Sequence, residues 1–460
     1  MIEVRDKYSG QVIGKVPSIE VEQLREIIKN AYAAFRKHQA ALPIHKRAEI
    51  LAEASSLIQN RQDEFAKLIA AEAGKPIKYS RKEAKRASLT MQFSAEEAKR
   101  IHGETIPFEA EPRGEDRTGY WYRVPAGLVA AITPFNDPLN LVAHKLGPAI
   151  AAGNTVVLKP ASLTPLSGIK LVETLQEAGL PGDFVSVVTG NGEKLGPELV
   201  SSPYVRVVTF TGGAEAGERI ARLAGLKKIA MELGSDCPVI VMEDAPLDLT
   251  VSCILDAGFN CQGQNCIHAQ RILIHESLYE ELVGRLVEDT RKLKVGNPLD
   301  ESTDVGPMIA ESEAIRVENW VNEAVQEGAK VLVGGHRQGP LFMPTILADV
   351  PENATIAKQE IFGPVTVVSK FQKMSDAVKE SNSTKYGLHA GIFTKSIDSA
   401  LRAISDLNFG SVLVNDTSDF RVDFMPFGGM KYSGLGREGV RFAIEETMTE
   451  IKTVIFRKPS

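Results

Sequence analysis

The stretch that decides the fold lies at residues 128–160 and reads LVAAITPFNDPLNLVAHKLGPAIAAGNTVVLKP. Two short apolar runs, at 128–132 and 155–158, flank a longer apolar segment near 139–151 that is long enough for a helix. A strand, a helix and a second strand in this order form a parallel unit, because parallel strands need a crossover connection. The stretch therefore predicts a parallel sheet with a helix packed against it.

The same alternation continues further along the chain. Apolar runs at 184–188 and 205–210 follow, and a second alternating series runs from Pro238 to about 427. Amphipathic or apolar helices are predicted near 18–38, 45–73, 81–100, 165–178, 193–200, 214–224, 277–292, 312–327 and 396–406. Gly74 is expected to end the second of these. The pattern predicts an α/β protein with two doubly wound parallel-sheet domains.

Two further segments, 119–124 and 450–457, read as strands but follow no helix. They indicate either a small arm whose open edge a partner subunit covers, or an edge strand folded back on its own domain.

Composition narrows the function classes. The chain has 460 residues, with 53 Lys and Arg against 59 Asp and Glu, for a net charge of −6. This lack of basic excess argues against a nucleic-acid-binding protein, and the apolar runs are too short to cross a membrane. Four cysteines are too few for a disulfide framework, and the first residues lack an apolar leader, so a cytoplasmic protein is expected.

Cys266 ends the motif Gly-Gln-Asn-Cys at 263–266, at the start of a predicted helix. A helix N-terminus stabilises negative charge, so a thiolate with a lowered pKa is expected there. A buried structural cysteine is the alternative. A zinc site would need Cys266 together with Cys237, Cys261 and His268, but the paired ligand spacing of structural zinc is absent, and no metal is predicted. In a cysteine–histidine hydrolase, His268 would point away from the thiol, and His144 could serve as the base only if the fold brings it close.

Three other features are candidates for binding or catalysis. Glu232 lies in an apolar run, where a carboxyl group has a raised pKa and can act as a base. The turn at 211–217 follows a strand and precedes a helix, as phosphate-binding turns do. Lys159 ends another strand, at the sheet edge where doubly wound proteins bind ligands.

Seven motifs occur in a defined order, at 132–136, 153–160, 210–213, 231–234, 263–266, 360–364 and 426–429. Together they resemble those of the aldehyde dehydrogenase superfamily, across nearly the whole chain. The chain is most similar to the branch with lactaldehyde, succinate-semialdehyde and non-phosphorylating glyceraldehyde-3-phosphate dehydrogenases.

The resemblance implies the catalytic roles. Cys266 would attack the aldehyde to form a thiohemiacetal, while the side-chain amide of Asn136 and the backbone N–H of Cys266 hold the oxyanion. Hydride transfer to the nicotinamide would leave a thioester, and Glu232 would activate the water that hydrolyses it.

The resemblance also implies a site for NAD or NADP. Lys159 would hold the adenosine ribose, Glu360 the nicotinamide ribose, and Gly212 and Gly213 the pyrophosphate, while Phe362 would pack near the nicotinamide. The other residues assigned to this site are Thr133, Pro134, Phe135, Ser162, Gly217 and Leu233.

Two positions depart from the family pattern. NAD-preferring members often have glutamate where this chain has Ser162, and a serine can hydrogen-bond to a 2′-phosphate that a glutamate would repel. NADP is therefore admitted alongside NAD. Gly213 replaces a serine of many relatives, and its backbone contact survives that change.

Substrate preference is predicted from the loop before the last motif. Arg421 is predicted to bind a carboxylate, phosphate, sulfonate or phosphonate, with a surface or inter-subunit salt bridge as the alternative. Asn140 and His144, one turn apart, are predicted to face the substrate tunnel. A small aldehyde with an anionic or α-hydroxyl group is expected, and long apolar aldehydes are the competing choice.

The resemblance divides the chain into three parts. A dinucleotide-binding domain would take 1–112 and 126–233 with 428–448, a catalytic domain 234–427, and an oligomerisation arm 113–125 and 449–460. A homo-oligomer, either a dimer or a tetramer, is expected. A CoA-acylating aldehyde dehydrogenase and a non-catalytic binding protein on the same fold remain as alternatives.

Overall fold

The computed structural model describes residues 1–38 and 42–459. Its first large sheet has six strands, in the order Gly434–Leu435, Lys228–Leu233, Val205–Gly212, Leu128–Ile132, Val156–Lys159 and Val185–Val187. All neighbours are parallel except Gly434–Leu435, which runs antiparallel to Lys228–Leu233. The predicted parallel unit at 128–160 is confirmed, and its strands are the fourth and fifth in this order.

The second large sheet has seven strands, in the order Lys330–Val333, Thr345–Ala348, Val365–Phe371, Arg271–His275, Pro238–Val241, His389–Phe393 and Ser411–Val414. Only Lys330–Val333 is antiparallel to its neighbour. Each large sheet therefore differs from the purely parallel prediction at one edge.

The helices cover the faces of these sheets. They are Val21–His38, Ile44–Asn60, Gln62–Ala73, Ile77–Ala98, Asn140–Ala152, Leu166–Glu177, Gly192–Ser201, Ala214–Ala224, Leu247–Phe259, Tyr279–Thr290, Glu311–Gln326, Thr355–Lys358, Met374–Asn382, Ile397–Asp406 and Val440–Ala443. Successive strand residues enter different cores: Val129 and Ala131 pack on one side of the six-stranded sheet, and Leu128 and Ala130 on the other. This alternation is the reason why a strand with no polar residue is stable here.

One of the predicted helices is divided into two helices in the structure, Ile44–Asn60 and Gln62–Ala73. The single helix expected at 45–73 is broken at Arg61, whose backbone leaves the helical region (φ −111°, ψ 23°). Gly74 ends the second half in the left-handed region (φ 71°), as predicted.

The two segments without helices pair with each other. Arg117–Pro125 lies antiparallel to Thr449–Arg457 in a three-stranded sheet that also contains Glu104–Thr105. Thr449–Arg457 is an edge strand, and its Ile451, Ile455 and Phe456 are exposed. Two short hairpins complete the strands, Ile2–Arg5 with Val12–Val16 and Arg337–Gln338 with Leu341–Phe342. Within the described residues, no helix is both long enough and apolar enough to span a bilayer.

Candidate active site

Two cavities meet at Cys266. The larger, of about 590 Å³, extends toward the helix Leu247–Phe259, and the smaller, of about 300 Å³, lies at the carboxyl end of the six-stranded sheet. Both are lined by Asn136, Leu141 and Cys266. A molecule in the larger cavity and a molecule in the smaller one would therefore meet at the thiol.

The cysteine turn, residues 260–266, carries Cys266 on an unusual backbone. Cys261, Gln262 and Gly263 all have left-handed φ angles, of 49°, 59° and 64°. A Cβ at Gly263 would clash with the carbonyl oxygen of Gly363, so both its φ and its surroundings require glycine. A run of this kind persists only when its surroundings hold it.

Two glutamines of the turn provide part of that support. Gln262 donates to the carbonyl oxygens of Gly74 and Pro307, the latter at 2.9 Å. The side-chain oxygen of Gln264 accepts from the backbone N–H of Ile309 at 3.0 Å. The turn is therefore tied to two distant segments of the chain.

Asp419 holds the turn from a third segment. Its carboxylate accepts hydrogen bonds from the side-chain amides of Asn260, at 2.5 Å, and Asn265. The oxygen of the Asn265 side chain lies 3.7 Å from the Cys266 sulfur and 3.3 Å from the N–H of Ile267. Burial raises the pKa of Asp419 to about 8, and the hydrogen bond from Asn260 opposes that shift.

The predicted low-pKa thiolate at a helix start is wrong on both counts. Cys266 lies in a turn, and no helix begins there. Burial, followed by the negative charge of Glu232, raises the pKa of the Cys266 thiol well above its usual value, while Arg421 lowers it. The thiol is therefore protonated at neutral pH and needs a base before it can attack.

Glu232 is the next-to-last residue of the strand Lys228–Leu233 and lines the smaller cavity. Neither carboxylate oxygen has a hydrogen-bond partner among the described residues, and both oxygens are buried. Burial, followed by the charge of Glu438, raises the pKa of Glu232 to about 8. The raised pKa agrees with the expectation from its apolar run, and it suits a group that exchanges a proton near neutral pH.

Arg421 lies in the wall of the larger cavity with its side chain only 6% exposed. Its guanidinium stacks on the ring of Phe427, 3.8 Å from the centroid, and Nη2 donates to Glu438 at 3.0 Å. Lys145 also reaches Glu438, at 3.1 Å. The salt bridge of Arg421 is thus internal and buried, whereas the alternative interpretation of the sequence placed it on the surface or between subunits.

The prediction that Asn140 and His144 face the tunnel is wrong. Both are buried in the helix Asn140–Ala152 and are absent from the walls of both cavities. Asn140 Nδ2 donates to Asp423 at 3.0 Å, and His144 Nε2 lies 2.9 Å from the same carboxylate. Every residue of this helix is buried, so its spacing alone did not distinguish the face toward the cavity from the face toward the core.

Asn136 is held through its neighbour in the chain. Asp137 forms ion pairs with Lys75 and with Arg86, the latter at 3.3 Å. Lys75 also pairs with Glu83 at 2.5 Å. Within the described part of the chain, the side-chain amide of Asn136 makes no hydrogen bond of its own, although it lines both cavities. It is thus free to donate to a bound oxygen.

The smaller cavity contains most of the residues predicted to bind the dinucleotide. Pro134, Phe135, Gly212, Gly213, Leu233, Glu360 and Phe362 line it. A Cβ at Gly212 would come within 2.6 Å of the Phe210 ring, and one at Gly217 within 2.5 Å of Leu233. Gly213 directly precedes the helix Ala214–Ala224, whose first backbone N–H groups have no partner within the helix. These features fit a pyrophosphate.

Glu360 and Phe362 form the opposite wall of the smaller cavity. Glu360 accepts from the N–H of Ser235 at 3.0 Å, and burial raises its pKa to about 8. A Cβ at Gly234 would occupy the position of the Glu360 carboxyl group. Phe362 has a left-handed φ of 46°, and its ring meets that of Phe135 edge-on at 5.6 Å. A non-glycine residue held in this strained region commonly marks a functional site.

Lys159, Ser162 and Thr133 lie outside the lining of the smaller cavity. The Lys159 ammonium group is buried, its nearest acceptor is the carbonyl oxygen of Pro160 at 3.5 Å, and burial lowers its pKa. A buried cation without a carboxylate partner fits a site for ligand oxygens. Ser162 donates to the carbonyl oxygen of Gly190 at 2.9 Å, and the hydroxyl of Thr133 has no partner in the described chain.

The residues of the zinc alternative do not converge. His268 Nε2 lies 3.0 Å from the carbonyl oxygen of Gly258, and the Cys237 thiol donates to the carbonyl oxygen of Cys266 at 3.5 Å. Cys261 lies in the left-handed part of the cysteine turn. No group of three or more potential metal ligands occurs in residues 1–38 or 42–459.

Several residues of the site were missed from the sequence, above all Lys145, Glu438, Asp423 and Asp419. Lys145 carried a usable signal, because a lysine inside an otherwise apolar helix needs a buried partner. The partner itself, Glu438, lies 293 positions away, and no local pattern connects the two.

Comparison with known proteins agrees with this geometry. The model of the aldehyde dehydrogenase family matches residues 1–454. The chain is 45% identical over 454 residues to a 3-sulfolactaldehyde dehydrogenase of Priestia aryabhattai, covering 99% of this chain and 94% of that protein. It is 49% identical over 453 residues to aspartate-semialdehyde dehydrogenase 1 of Pseudomonas canavaninivorans, covering 98% and 96%.

A solved structure extends the comparison to three dimensions. The glyceraldehyde-3-phosphate dehydrogenase GapN of Methanocaldococcus jannaschii, complexed with NADP, superposes with a TM-score of 0.95. The sequences are 42% identical, and the match covers 100% of this chain and 99% of that one.

Proposed function

Because the chain belongs to the aldehyde dehydrogenase family, we propose that it oxidises a small, anion-bearing aldehyde to the carboxylic acid with NAD or NADP. One observation carries this proposal: Cys266 and Asn136 lie together where the larger and smaller cavities meet. The aldehyde would enter through the larger cavity. The dinucleotide fits the smaller cavity and, when bound, supplies the acceptor for the hydride.

Cys266 would be the nucleophile. The thiol is protonated at rest, so its proton must pass to a base as sulfur attacks the aldehyde carbon, and Glu232 is the buried carboxylate whose charge already affects the thiol. The thiohemiacetal oxygen would receive hydrogen bonds from the Asn136 amide and the Cys266 N–H. Preorganised donors of this kind stabilise the oxyanion without reorganisation.

Glu232 would also complete the cycle. After the acyl group is on sulfur as a thioester and Glu232 has lost the thiol proton to solvent, the carboxylate would remove a proton from the water that attacks the acyl carbon. That proton would pass to the departing sulfur, which releases the acid and the Cys266 thiol. A base for this step needs an oxygen that is free of other hydrogen bonds and a pKa close to neutral pH. Glu232 has two oxygens without a hydrogen-bond partner among the described residues, and its pKa is about 8.

Arg421 supports the choice of an anionic substrate. Its Nη2 is occupied by Glu438, but its Nε has no acceptor among the residues described. The relatives reported above are named for a sulfonated, an amino-acid-derived and a phosphorylated aldehyde. All three substrates carry an acidic group on a short chain, and a guanidinium group in the cavity wall suits that chemistry.

The exposed edge strand bears on the assembly of the protein. The edge strand Thr449–Arg457 exposes three apolar side chains, which supports an oligomerisation arm of residues 113–125 and 449–460 and a homo-oligomer, either a dimer or a tetramer. The dinucleotide-binding domain would then comprise 1–112, 126–233 and 428–448. The catalytic domain would comprise 234–427. A cytoplasmic location suits the free cysteines.

Formation of NADH or NADPH from a panel of phosphorylated, sulfonated, carboxylated and neutral α-hydroxy aldehydes tests the proposal. We expect turnover with the anionic aldehydes, no requirement for CoA, and loss of activity in Cys266→Ala with dinucleotide binding retained. Turnover only with CoA would instead indicate an acylating enzyme. No turnover with any aldehyde would indicate a binding protein, and an active Cys266→Ala variant would show that another group is the nucleophile.

A further inference from the structure

The cysteine turn has to be held in a conformation that its own sequence disfavours. Of its three left-handed residues, two are not glycine, and side chains other than glycine disfavour this backbone region. Gln262 and Gln264 fix the middle of the turn. Asn260 at its first position and Asn265 next to its last have one acceptor in common, which is Asp419.

Asp419 also decides which way round the Asn265 amide lies. Although burial raises the pKa of Asp419, both of its oxygens accept a side-chain amide here, which is the arrangement of an ionised carboxylate, and the Nδ2 group of Asn265 faces it. Its Oδ1 then faces the Ile267 N–H and the Cys266 sulfur, at 3.3 Å and 3.7 Å. If the amide were reversed, its NH2 group would oppose the Ile267 N–H and could not accept from the thiol.

Resting on the proposed function, in which Cys266 is the nucleophile, we propose that Asp419 is a positioning residue that clamps both ends of the cysteine turn and, through Asn265, aims the Cys266 thiol into the cavity. Each carboxylate oxygen already receives one amide, Oδ1 from Asn265 and Oδ2 from Asn260. Both oxygens of the carboxylate are therefore occupied by hydrogen bonds from the turn. These bonds place Asp419 in the wall of the larger cavity. Asp419 acts on the reaction through Asn265 and does not itself touch the reacting atoms.

The test uses Asp419→Asn and Asp419→Ala in the full-length protein. Asp419→Asn keeps the shape of the side chain but replaces one acceptor oxygen by an NH2 group. The asparagine that donated to that oxygen must then flip its side-chain amide or lose its hydrogen bond. Asp244→Asn is the matched control, because Asp244 accepts two hydrogen bonds, from Thr394 and Lys395, and contacts no part of the cysteine turn. Four quantities are measured: kcat, the KM values for aldehyde and dinucleotide, the melting temperature, and the rate of alkylation of Cys266 by iodoacetamide, read by mass spectrometry.

We expect kcat and the alkylation rate to fall together by about 10- to 100-fold in both variants, since a small displacement of a reacting atom has an effect of that size. The KM values and the melting temperature should change little, and Asp244→Asn should match the wild type. Adding Asn265→Ala to Asp419→Asn should cause little further loss, because both act on one contact.

Two results would overturn the proposal. One is a wild-type kcat and alkylation rate in both Asp419 variants. The other is a loss of activity accompanied in both by weaker dinucleotide binding and a lower melting temperature, which would show a general structural role. Failure of the proposed function is separate: an active Cys266→Ala variant would refute it, whereas the effect of Asp419 on alkylation does not depend on catalysis.

Discussion

The Nη2 group of Arg421 donates to Glu438 at 3.0 Å and lies 3.2 Å from His144 Nε2, and Arg421 is part of the wall of the larger cavity. Nε has no acceptor in the described chain although it is buried. A buried donor without an acceptor is costly, so a ligand that provides one gains more than a surface contact would give. This arrangement makes Arg421 both a structural partner of Glu438 and a candidate anchor for an acidic group.

Replacing Arg421 by leucine should therefore change substrate preference. Loss of a buried charge contact costs about 2–5 kcal/mol, so the kcat/KM for anionic aldehydes should fall by roughly 30-fold or more. Neutral α-hydroxy aldehydes should be affected much less, because they make no ionic contact. The measurement is the ratio of kcat/KM values for the two classes.

Glu438→Gln is the control for this experiment. It removes the ionic partner but keeps Arg421, so the preference for anionic aldehydes should persist even if both rates fall. An equal loss for anionic and neutral aldehydes in Arg421→Leu would mean that Arg421 supports the site and does not select the substrate.

Local sequence patterns were sufficient for the fold because they describe one element at a time. The strand at 128–132 is found as predicted, and the predicted helix near 139–151 is the helix Asn140–Ala152. The failures share one cause. Asn140 and His144 turn toward Asp423, which lies 283 and 279 positions away, and such a partner leaves no trace in local spacing.

The same reasoning explains the cysteine. The motif at 263–266 singled out Cys266, which lies at the junction of the two cavities, but the predicted shift of its pKa had the wrong sign. The sign depends on burial and on the charge of Glu232, which the fold brings from 34 positions upstream. Whether a residue is buried beside a like charge follows from tertiary structure and not from its neighbours in the chain.

Gly263→Ala should destabilise the protein by about 2–4 kcal/mol, since the methyl group would meet the Gly363 carbonyl and the φ of 64° is unfavourable for alanine. Gly284→Ala provides the comparison, because Gly284 lies within the helix Tyr279–Thr290 with open space around its Cβ position. That change should stabilise by about 0.5–1 kcal/mol. Urea unfolding measures both; equal effects would contradict the proposed clash.

Ser162→Glu should shift the preference toward NAD. A carboxylate near the 2′-phosphate would weaken NADP binding by about 10- to 100-fold, as expected for like charges a few ångströms apart in a partly buried site. NAD, which has a 2′-hydroxyl, should bind as well as before or better. Ser162→Ala removes the hydroxyl and its hydrogen bond to Gly190 without adding charge, so it should weaken NADP binding far less than Ser162→Glu does. Titration of each variant with NADH and NADPH, followed by fluorescence, gives the ratio; an unchanged ratio in Ser162→Glu would place the 2′-position elsewhere.

Hydrolysis of the acyl-enzyme should depend on pH through Glu232. Burial raises the pKa of this carboxyl group to about 8, so it is mostly protonated at pH 6 and mostly ionised at pH 9. Only the ionised form can accept a proton from water, and the rate should therefore rise with pH through the pKa and level off above about pH 9. Glu232→Gln should lower the steady-state rate by about 100-fold or more and remove this dependence. Acyl transfer to Cys266, which also uses Glu232, should be slower in that variant than in the wild type but still faster than hydrolysis, so a burst of reduced dinucleotide close to one equivalent per active site should precede the slow phase. Stopped-flow absorbance separates the two phases.

A steady-state rate in Glu232→Gln that keeps the wild-type pH profile would assign the titration to another group. That group would not be Glu438, because the pKa of Glu438 is lowered far below this range.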